Sequence, residues 1–147
     1  MFACRRFQVG EQIRRVDDSE TADEALIASV SGGETLVRLD YYPDRVVALP
    51  FPDGFFNHSC DPNAFSRWDE DGRFVVARRS IAAGEEITED YCINSRGDTV
   101  WSCHCGARRC RRAVHSDFFR LPHQLQEEYR PLLAPWFVAA NPGLLAQ

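Results

Sequence analysis

One short run of residues constrains this chain more than any other stretch. From Phe55 to Asn63, two aromatic residues lead directly into Asn-His-Ser-Cys and then into Asp-Pro-Asn. Asp, Pro and Asn in succession favour a turn, so a strand that begins at the aromatic pair has to stop pairing here and present its polar groups elsewhere. On its own, the run predicts a strand end followed by a turn.

Two further motifs follow this run along the chain. The stretch from Gly84 to Tyr91 reads Gly-Glu-Glu-Ile-Thr-Glu-Asp-Tyr, and Cys103, Cys105 and Cys110 form a cysteine-rich segment after it. Together the three motifs resemble the paired motifs and the post-SET zinc segment of the SET-domain protein lysine methyltransferases. The resemblance covers about residues 2–112 and does not include the C-terminal tail.

Length and composition limit the classes of protein to which the chain can belong. Its 147 residues predict one domain with a real core, and a net charge of −5 argues against a general nucleic-acid binder. No run approaches the length of a membrane span, and the first residues do not resemble a signal peptide. We therefore expect a protein that is not secreted, cytoplasmic if bacterial or nuclear if eukaryotic, with its six cysteines as metal ligands or free thiols.

The cysteine-rich segment predicts a structural zinc site. Cys103, Cys105 and Cys110 supply three soft thiolates within eight residues, and tetrahedral zinc needs a fourth ligand. The resemblance implies Cys60, from the Asn-His-Ser-Cys run, as that fourth ligand. His104 is an alternative with awkward geometry, because both of its neighbours in the sequence would already be ligands.

The resemblance also implies S-adenosylmethionine as cofactor and a protein that presents a lysine as substrate. Tyr91 matches the active-site tyrosine of the family, Asn57 and His58 match residues that hold the cofactor, and Trp101 is expected to cover the adenine side. Methyl transfer to an amine needs a neutral amine, a straight approach and the exclusion of water, whereas the reference pKa of lysine is about 10.4. We expect the Tyr91 hydroxyl to orient the amine and the donor methyl group rather than to act as a strong base.

One part of the family pattern differs in this sequence. A glycine pair that helps to hold S-adenosylmethionine lies in the family just before the position of Phe2, where this sequence has Met1. We therefore expect either that the true start lies upstream of Met1 or that this protein closes that part of the cofactor site in another way. Two alternatives to an enzyme follow: a catalytically silent SET module, or a zinc-stapled module that binds protein or nucleic acid.

A cluster of arginines surrounds Cys110 and consists of Arg108, Arg109, Arg111 and Arg112. One interpretation is an ordinary solvated face. The other is a surface that docks an acidic or nucleic-acid-associated target. All 17 basic residues of the chain are arginines, so a lysine methyltransferase of this sequence has no lysine side chain of its own to methylate.

The pattern of apolar residues and turns predicts a mostly β chain with short strands. The predicted strands are residues 35–39, 45–49, 64–68, 73–78 and 86–91. A turn is predicted at 31–34 and a polar loop at 94–98, whereas residues 17–31 are ambiguous between a strand and a helix that begins with a capping box at Thr21. Residues 2–13 also align without gaps on residues 76–87, and each copy predicts a strand end, a glycine turn and a new strand.

We expect three parts: a SET domain over residues 1–98, a post-SET zinc segment over 99–115 and a helical tail over 116–147. The resemblance implies a β-clip, SET-like fold of small sheets with knot-like threading, which brings the Asn-His-Ser run beside the Asp-Tyr run. In the tail, Pro122 and Pro131 are each predicted to open a helix. The apolar faces of these helices predict a lid packed on the core or, alternatively, a surface for a partner or a second copy.

Overall fold

The structure is a computed structural model that describes residues 1–31 and 38–145. Within this part of the chain, short strands form one three-stranded sheet and three two-stranded sheets. The strands are β1 (Gln12–Val16), β2 (Arg38–Tyr41), β3 (Val46–Leu49), β4 (Asn57–His58), β5 (Ala64–Asp69), β6 (Gly72–Ala77), β7 (Thr88–Glu89), β8 (Arg96–Ser102) and β9 (Ala113–Asp117). The helices are α1 (Glu24–Ser31), α2 (His123–Tyr129) and α3 (Pro135–Ala140), with 3₁₀ turns at Asp53–Phe55, Phe118–Arg120, Arg130–Leu132 and Pro142–Leu145.

The predicted fold class is confirmed, since short strands in small sheets make up most of the regular structure. Two of the predicted hairpins form, β2 with β3 and β5 with β6, and β6 is the central strand of the sheet β1-β6-β5. Residues 35–37 of one predicted strand and 32–34 of the predicted turn lie outside the described residues. The central sheet carries the first hydrophobic core, in which the side chains of Phe7, Val75 and Ile81 are buried.

The two copies of the internal repeat pair with each other. Phe7 and Ile81 hold equivalent positions in the repeat, and each donates its backbone N–H to the carbonyl of the other at 3.0 Å. Both copies close the same turn, with a glycine at positive φ and an ion pair between an arginine and the glutamate six residues later. These are Gly10 (φ 79°) with Arg5–Glu11 (2.6 Å), and Gly84 (φ 80°) with Arg79–Glu85 (2.7 Å). The repeat is therefore a pseudo-twofold clasp that holds the start of the chain against the segment leading to Tyr91.

A parallel pairing joins the two central motifs. In β4 and β7, Asn57 lies opposite Thr88 and His58 opposite Glu89, so the Asn-His-Ser run lies beside the Asp-Tyr run as the resemblance implies. The predicted strand 86–91 is too long, because its regular pairing is limited to Thr88–Glu89. Passage of the chain through a loop remains a prediction.

Buried Asn63 fixes the turn after β4 to the segment before β7. Its amide nitrogen donates to the Glu85 carboxylate at 2.9 Å and to the Glu86 carbonyl at 2.8 Å, and its amide oxygen accepts the Thr88 N–H at 2.9 Å. A buried amide with this many partners is costly to remove, since each partner would be left without a hydrogen bond. The Asp-Pro-Asn turn is thus tied to the neighbouring motif by a side chain.

The ambiguous segment 17–31 contains a helix, but the predicted cap is wrong. The N-cap of α1 is Asp23, whose carboxylate accepts the backbone N–H of Leu26 at 2.8 Å. Thr21 instead forms an antiparallel bridge to Val47. An aspartate is as good an N-cap as a threonine, and the pairing of Thr21 with the second hairpin removes it from the helix.

Two predictions about the second half of the chain are also wrong. The predicted loop 94–98 ends early, because β8 begins at Arg96 and pairs with β9. The second tail helix begins at Pro135 rather than at Pro131. A helix that started at Pro131 would place the ring of Pro135 against the carbonyl of residue 131 and would lack the hydrogen bond between them, so the chain forms a 3₁₀ turn first.

The tail packs on the core of the chain, as the lid interpretation predicts. It supplies Phe118, Leu121, Tyr129 and Phe137 to a second hydrophobic cluster, and the other side of this cluster contains Cys60 and Cys103 among other residues. In the part of the chain that is described, no helix is long and apolar enough to cross a membrane. The tail is therefore part of the structure around the cysteines.

Candidate active site and metal centre

Tyr91 lies just after β7 with its hydroxyl fixed. The hydroxyl donates to the carbonyl oxygen of Phe56, the residue before β4, at 2.6 Å. The guanidinium carbon of Arg38 lies 4.4 Å from the centre of the Tyr91 ring. Burial raises the pKa of the Tyr91 phenol, so the hydroxyl stays protonated at neutral pH and can orient a group but is not a base.

His58 connects Tyr91 to the cysteines. The backbone N–H of Tyr91 donates to Nδ1 of His58 at 3.2 Å, so the proton of the neutral ring belongs on Nε2, which lies 3.3 Å from Cys60 Sγ. Burial lowers the pKa of His58, although the Asp90 carboxylate 3.6 Å from Nδ1 opposes this shift. A neutral His58 therefore accepts from the candidate active site on one side and donates towards the sulfur on the other.

A groove of about 1360 Å³ opens beside these residues. Tyr91 and Trp101 line it, together with residues of β2, of β8 and of the tail helix α3. The ring of His58 lies beneath both aromatic residues, with centroids 5.3 Å from Tyr91 and 5.4 Å from Trp101. Asn57 does not line the groove, and its side-chain amide donates to the Glu86 carboxylate at 2.7 Å.

Four cysteines meet near the foot of this groove. The sulfurs of Cys60, Cys103, Cys105 and Cys110 all lie within 4.8 Å of one another, and those of Cys60 and Cys103 are 3.7 Å apart. A tetrahedron with Zn–S bonds of about 2.3 Å has edges of about 3.8 Å, so this spacing fits zinc. His104 is exposed and does not belong to the cluster, which favours Cys60 as the fourth ligand.

The electrostatics of the cysteine cluster also favour a cation. Burial opposes ionisation of Cys105, but N–H groups of Cys60 and Ala107 lower the pKa of its thiol to about 6. Burial, together with hydrogen bonds to the sulfurs of Cys105, Cys60 and Cys110, raises the pKa of Cys103 to about 12, so the thiols of the cluster do not ionise independently. A divalent metal would remove this conflict by neutralising several thiolates at once.

Asp90 and Arg111 were not predicted from the sequence as site residues; Asp90 is buried beneath the site and Arg111 is half-buried beside it. Arg111 donates to the Asp90 carboxylate at 2.8 Å, and its backbone N–H donates to Cys60 Sγ at 3.4 Å. Tyr129 of the tail donates to the other Asp90 oxygen at 3.2 Å. The available signals were the position of Asp90 next to Tyr91 in the motif and the position of Arg111 in the arginine cluster around Cys110.

The predicted arginine cluster is divided by these contacts. Arg111 is paired with Asp90, and Arg109 forms ion pairs with Asp61 and Glu128, both at 2.9 Å. Arg108 and Arg112 are exposed. The four side chains therefore do not form one docking surface, and half of them stabilise the contact between the cysteine segment and its surroundings.

Glu128 is the centre of an ion-pair network that ties the tail to the cysteine segment. It accepts hydrogen bonds from Arg109, at 2.9 and 3.0 Å, and from Arg78 of the segment after β6. Arg109 has the largest effect on the pKa of Glu128, which lies below its usual value of 4.5. Because the pKa is lowered on folding, the stabilisation is present above pH 4.5 and is lost as the pH falls through the lower folded pKa.

We expect Glu128→Gln to reduce the free energy of unfolding at pH 7 by roughly 1 kcal/mol, a modest value because the carboxylate is partly exposed. Urea unfolding at several pH values measures this difference. It should begin to shrink as the pH falls below 4.5 and should approach zero only below the lowered folded pKa, where the wild-type carboxylate is itself protonated. Glu127→Gln on the exposed side of α2 is the control, and an equal effect of both variants would contradict the assignment.

Comparison with known proteins agrees with this geometry. The SET domain family model matches residues 1–92. The histone-lysine N-methyltransferase ASHH3 of Arabidopsis thaliana is 34% identical over 112 residues, which are 71% of this chain and 31% of that protein. The H3 lysine-36 specific histone-lysine N-methyltransferase of Eremothecium gossypii is 45% identical over 60 residues (38% of this chain, 9% of that protein). Histone-lysine N-methyltransferase 2B of Homo sapiens is 46% identical over 66 residues (42% and 2%).

The matched part of the chain spans less than a third of each of these relatives. The family model, in contrast, covers more than half of the chain, from the clasp through Tyr91. This chain belongs to the SET-domain family.

Proposed function

We propose that this chain transfers a methyl group from S-adenosylmethionine to a lysine side chain of a protein. The observation that carries the proposal is the placement of Tyr91 at the groove, with its hydroxyl proton directed to the Phe56 carbonyl oxygen. The membership of the family and the names of the relatives support it.

The geometry of Tyr91 suits an amine nucleophile. Because the O–H donates to Phe56, the phenol oxygen keeps its lone pairs for an N–H of an incoming amine. A neutral amine that donates one N–H to this oxygen has its own lone pair free to attack. S-adenosylmethionine, when bound, would supply a methyl group on a sulfonium; the amine lone pair held at Tyr91 would form the N–C bond, and the electron pair of the broken C–S bond would stay on sulfur.

The other predicted residues would hold the cofactor and the site. We infer that Trp101 covers one side of the cofactor, since its ring lines the groove next to Tyr91. His58 and Asn57 would act mainly through the backbone of β4, because both side chains already have partners. The four cysteines would hold one structural zinc, which would fasten the segment carrying Trp101 to the Asn-His-Ser run.

We propose a lysine-rich protein such as a histone as the substrate, which the names of the relatives favour. Nuclear localisation would follow if the source is eukaryotic. A silent SET module is the second candidate function, favoured by the engagement of the Asn57 amide with Glu86 instead of the groove. The divided arginine cluster makes a nucleic-acid module the weaker alternative.

The test is calorimetric titration of the zinc-loaded chain with S-adenosylmethionine, followed by transfer of labelled methyl to histone H3 and to peptides from it. We expect micromolar binding, about −8 kcal/mol, and label on lysine. Incorporation cannot come from lysines of the chain, which has none. Binding without transfer to any lysine protein would leave the silent module as the better description, and absence of binding would exclude the enzyme in this form.

A further inference from the structure

Arg38 is a charged residue that the motifs did not point to, and it lies in direct contact with the candidate active site. Its guanidinium stacks on the Tyr91 ring, and its Nη1 lies 3.5 Å from the carbonyl oxygen of Phe56. The Tyr91 hydroxyl donates to the same carbonyl oxygen. The cation and the phenol therefore converge on one acceptor at the wall of the groove, which both residues line.

We propose, on the basis of the methyl transfer proposed above, that Arg38 is a positioning residue of this site. Its guanidinium holds the Tyr91 ring and hydroxyl in place and supplies a fixed positive charge that favours the neutral form of a lysine amine bound at Tyr91.

The surroundings fix Arg38 firmly enough for this role. Asp40 accepts from its Nε at 3.1 Å and is held in turn by Arg73 at 2.6 Å. Glu89 of β7 lies 3.9 Å from its Nη1. Gly54 allows the 3₁₀ turn to approach closely, since a Cβ there would lie only 3.2 Å from that of Arg38. One fifth of the Arg38 side chain stays exposed, on the side of the groove.

The charges around Tyr91 shift the pKa of its phenol in opposite directions, and the charge of Arg38 has the largest effect. The charged and titratable groups that act on or contact its ring come from three elements: Arg38 and Asp40 of β2, His58 of β4 and Glu89 of β7. Asp90, the next residue after Glu89, lies 3.6 Å from Nδ1 of His58. Burial raises the pKa of the phenol; Arg38 lowers it, and Glu89 and Asp40 raise it by smaller amounts. A positive charge that acts on the phenol also acts on an ammonium beside it and lowers the pKa of that ammonium. Deprotonation of the substrate is the step that this charge would assist.

Arg38→Met tests the charge, and Arg45→Met is the matched control. Arg45 also stacks on a tyrosine, with its guanidinium carbon 4.8 Å from the ring of Tyr42, but it does not line the groove. The first measurement needs no substrate. The tyrosines are replaced by 3,5-difluorotyrosine, whose phenol titrates near neutral pH, and are followed by ¹⁹F NMR, with Tyr91→Phe assigning the signal. We expect Arg38→Met to raise the pKa at position 91 by about one unit and Arg45→Met to leave it unchanged.

The second measurement is the pH profile of kcat on a histone H3 peptide that the chain methylates. We expect the apparent pKa of the bound amine to rise by about one unit in Arg38→Met, with roughly tenfold slower turnover at pH 8 that recovers at high pH. Arg38→Lys keeps the charge and should retain the wild-type profile. If Arg38→Met does not fold, the double variant Arg38→Met with Glu89→Gln, which removes one positive and one negative charge, replaces it. We still expect the apparent pKa of the bound amine to rise in this variant.

The outcomes separate this proposal from the proposed function. Normal methylation with unshifted profiles and an unshifted fluorine titration would overturn the role of Arg38 alone. If Arg38→Met shifts the fluorine titration at position 91 but the chain methylates no protein, the effect of the Arg38 charge on the phenol is supported and the proposed function is wrong. Equal shifts in the Arg38 and Arg45 variants would show a general charge effect and would overturn the assignment.

Discussion

Replacement of Tyr91 by phenylalanine should lower the turnover number roughly 100-fold or more and leave the affinity for S-adenosylmethionine nearly unchanged. The hydroxyl is the group that would accept the N–H of the amine, and its own proton is committed to Phe56 at 2.6 Å. Without it the ring can still pack against Arg38 and His58, so the fold should persist. Single-turnover transfer of labelled methyl and calorimetric binding of the cofactor measure the two effects separately.

Tyr129→Phe is the control for this experiment. Tyr129 is buried and, like Tyr91, donates through its hydroxyl, but to Asp90 beneath the site rather than at the groove. We expect its loss to cost about 1 kcal/mol of stability and little turnover. Full activity of Tyr91→Phe, or an equal loss in both variants, would remove Tyr91 from the proposed mechanism.

The sequence predicted the parts of the site that are local in the chain. Asn57, His58 and Tyr91 belong to compact motifs, and the pairing of β4 with β7 places these motifs side by side. The three clustered cysteines likewise predicted a metal centre, the resemblance implied Cys60 as a fourth ligand, and the structure brings the four sulfurs together. A short motif can predict part of a site because residues that are neighbours in the sequence stay close to one another in the folded chain.

The parts that were missed depend on contacts between distant residues. Arg38 and Asp40 lie on one face of β2, because residues two apart in a strand point to the same side. This pattern fits a solvated strand as well as a buried network, and only the fold shows that this face contacts Tyr91. Asp53 is buried against Arg14, 39 residues away, with no local signal. The polar stretch at the start of β8 looks like a loop because it is paired on one side by β9 and exposed on the other.

Removal of the proposed zinc should have the largest effect on the fold. The cysteine cluster lies within the second hydrophobic core, and its sulfurs come from the turn after β4 and from the segment between β8 and β9. Cys60 and Cys103 are 43 residues apart in the chain, so a bound zinc closes a long loop as well as neutralising the thiolates. Loss of the metal would leave four sulfurs in close contact, with the pKa of Cys103 raised and that of Cys105 lowered and no cation to neutralise a thiolate.

We therefore expect one zinc per chain, and we expect Cys110→Ser to lower the metal content and the free energy of unfolding by at least about 3 kcal/mol, a fall in Tm of roughly 10 °C. Cys4→Ser is the control, because Cys4 is an exposed free thiol outside the cluster. Elemental analysis and thermal unfolding followed by circular dichroism, with and without chelator, measure both quantities. A chain without zinc whose Tm is unaffected by chelator and by Cys110→Ser would show that packing alone holds the segment carrying Trp101. In that case the groove would not depend on a metal, and S-adenosylmethionine binding should survive chelation; if the metal is structural, binding should be lost together with the fold of this segment.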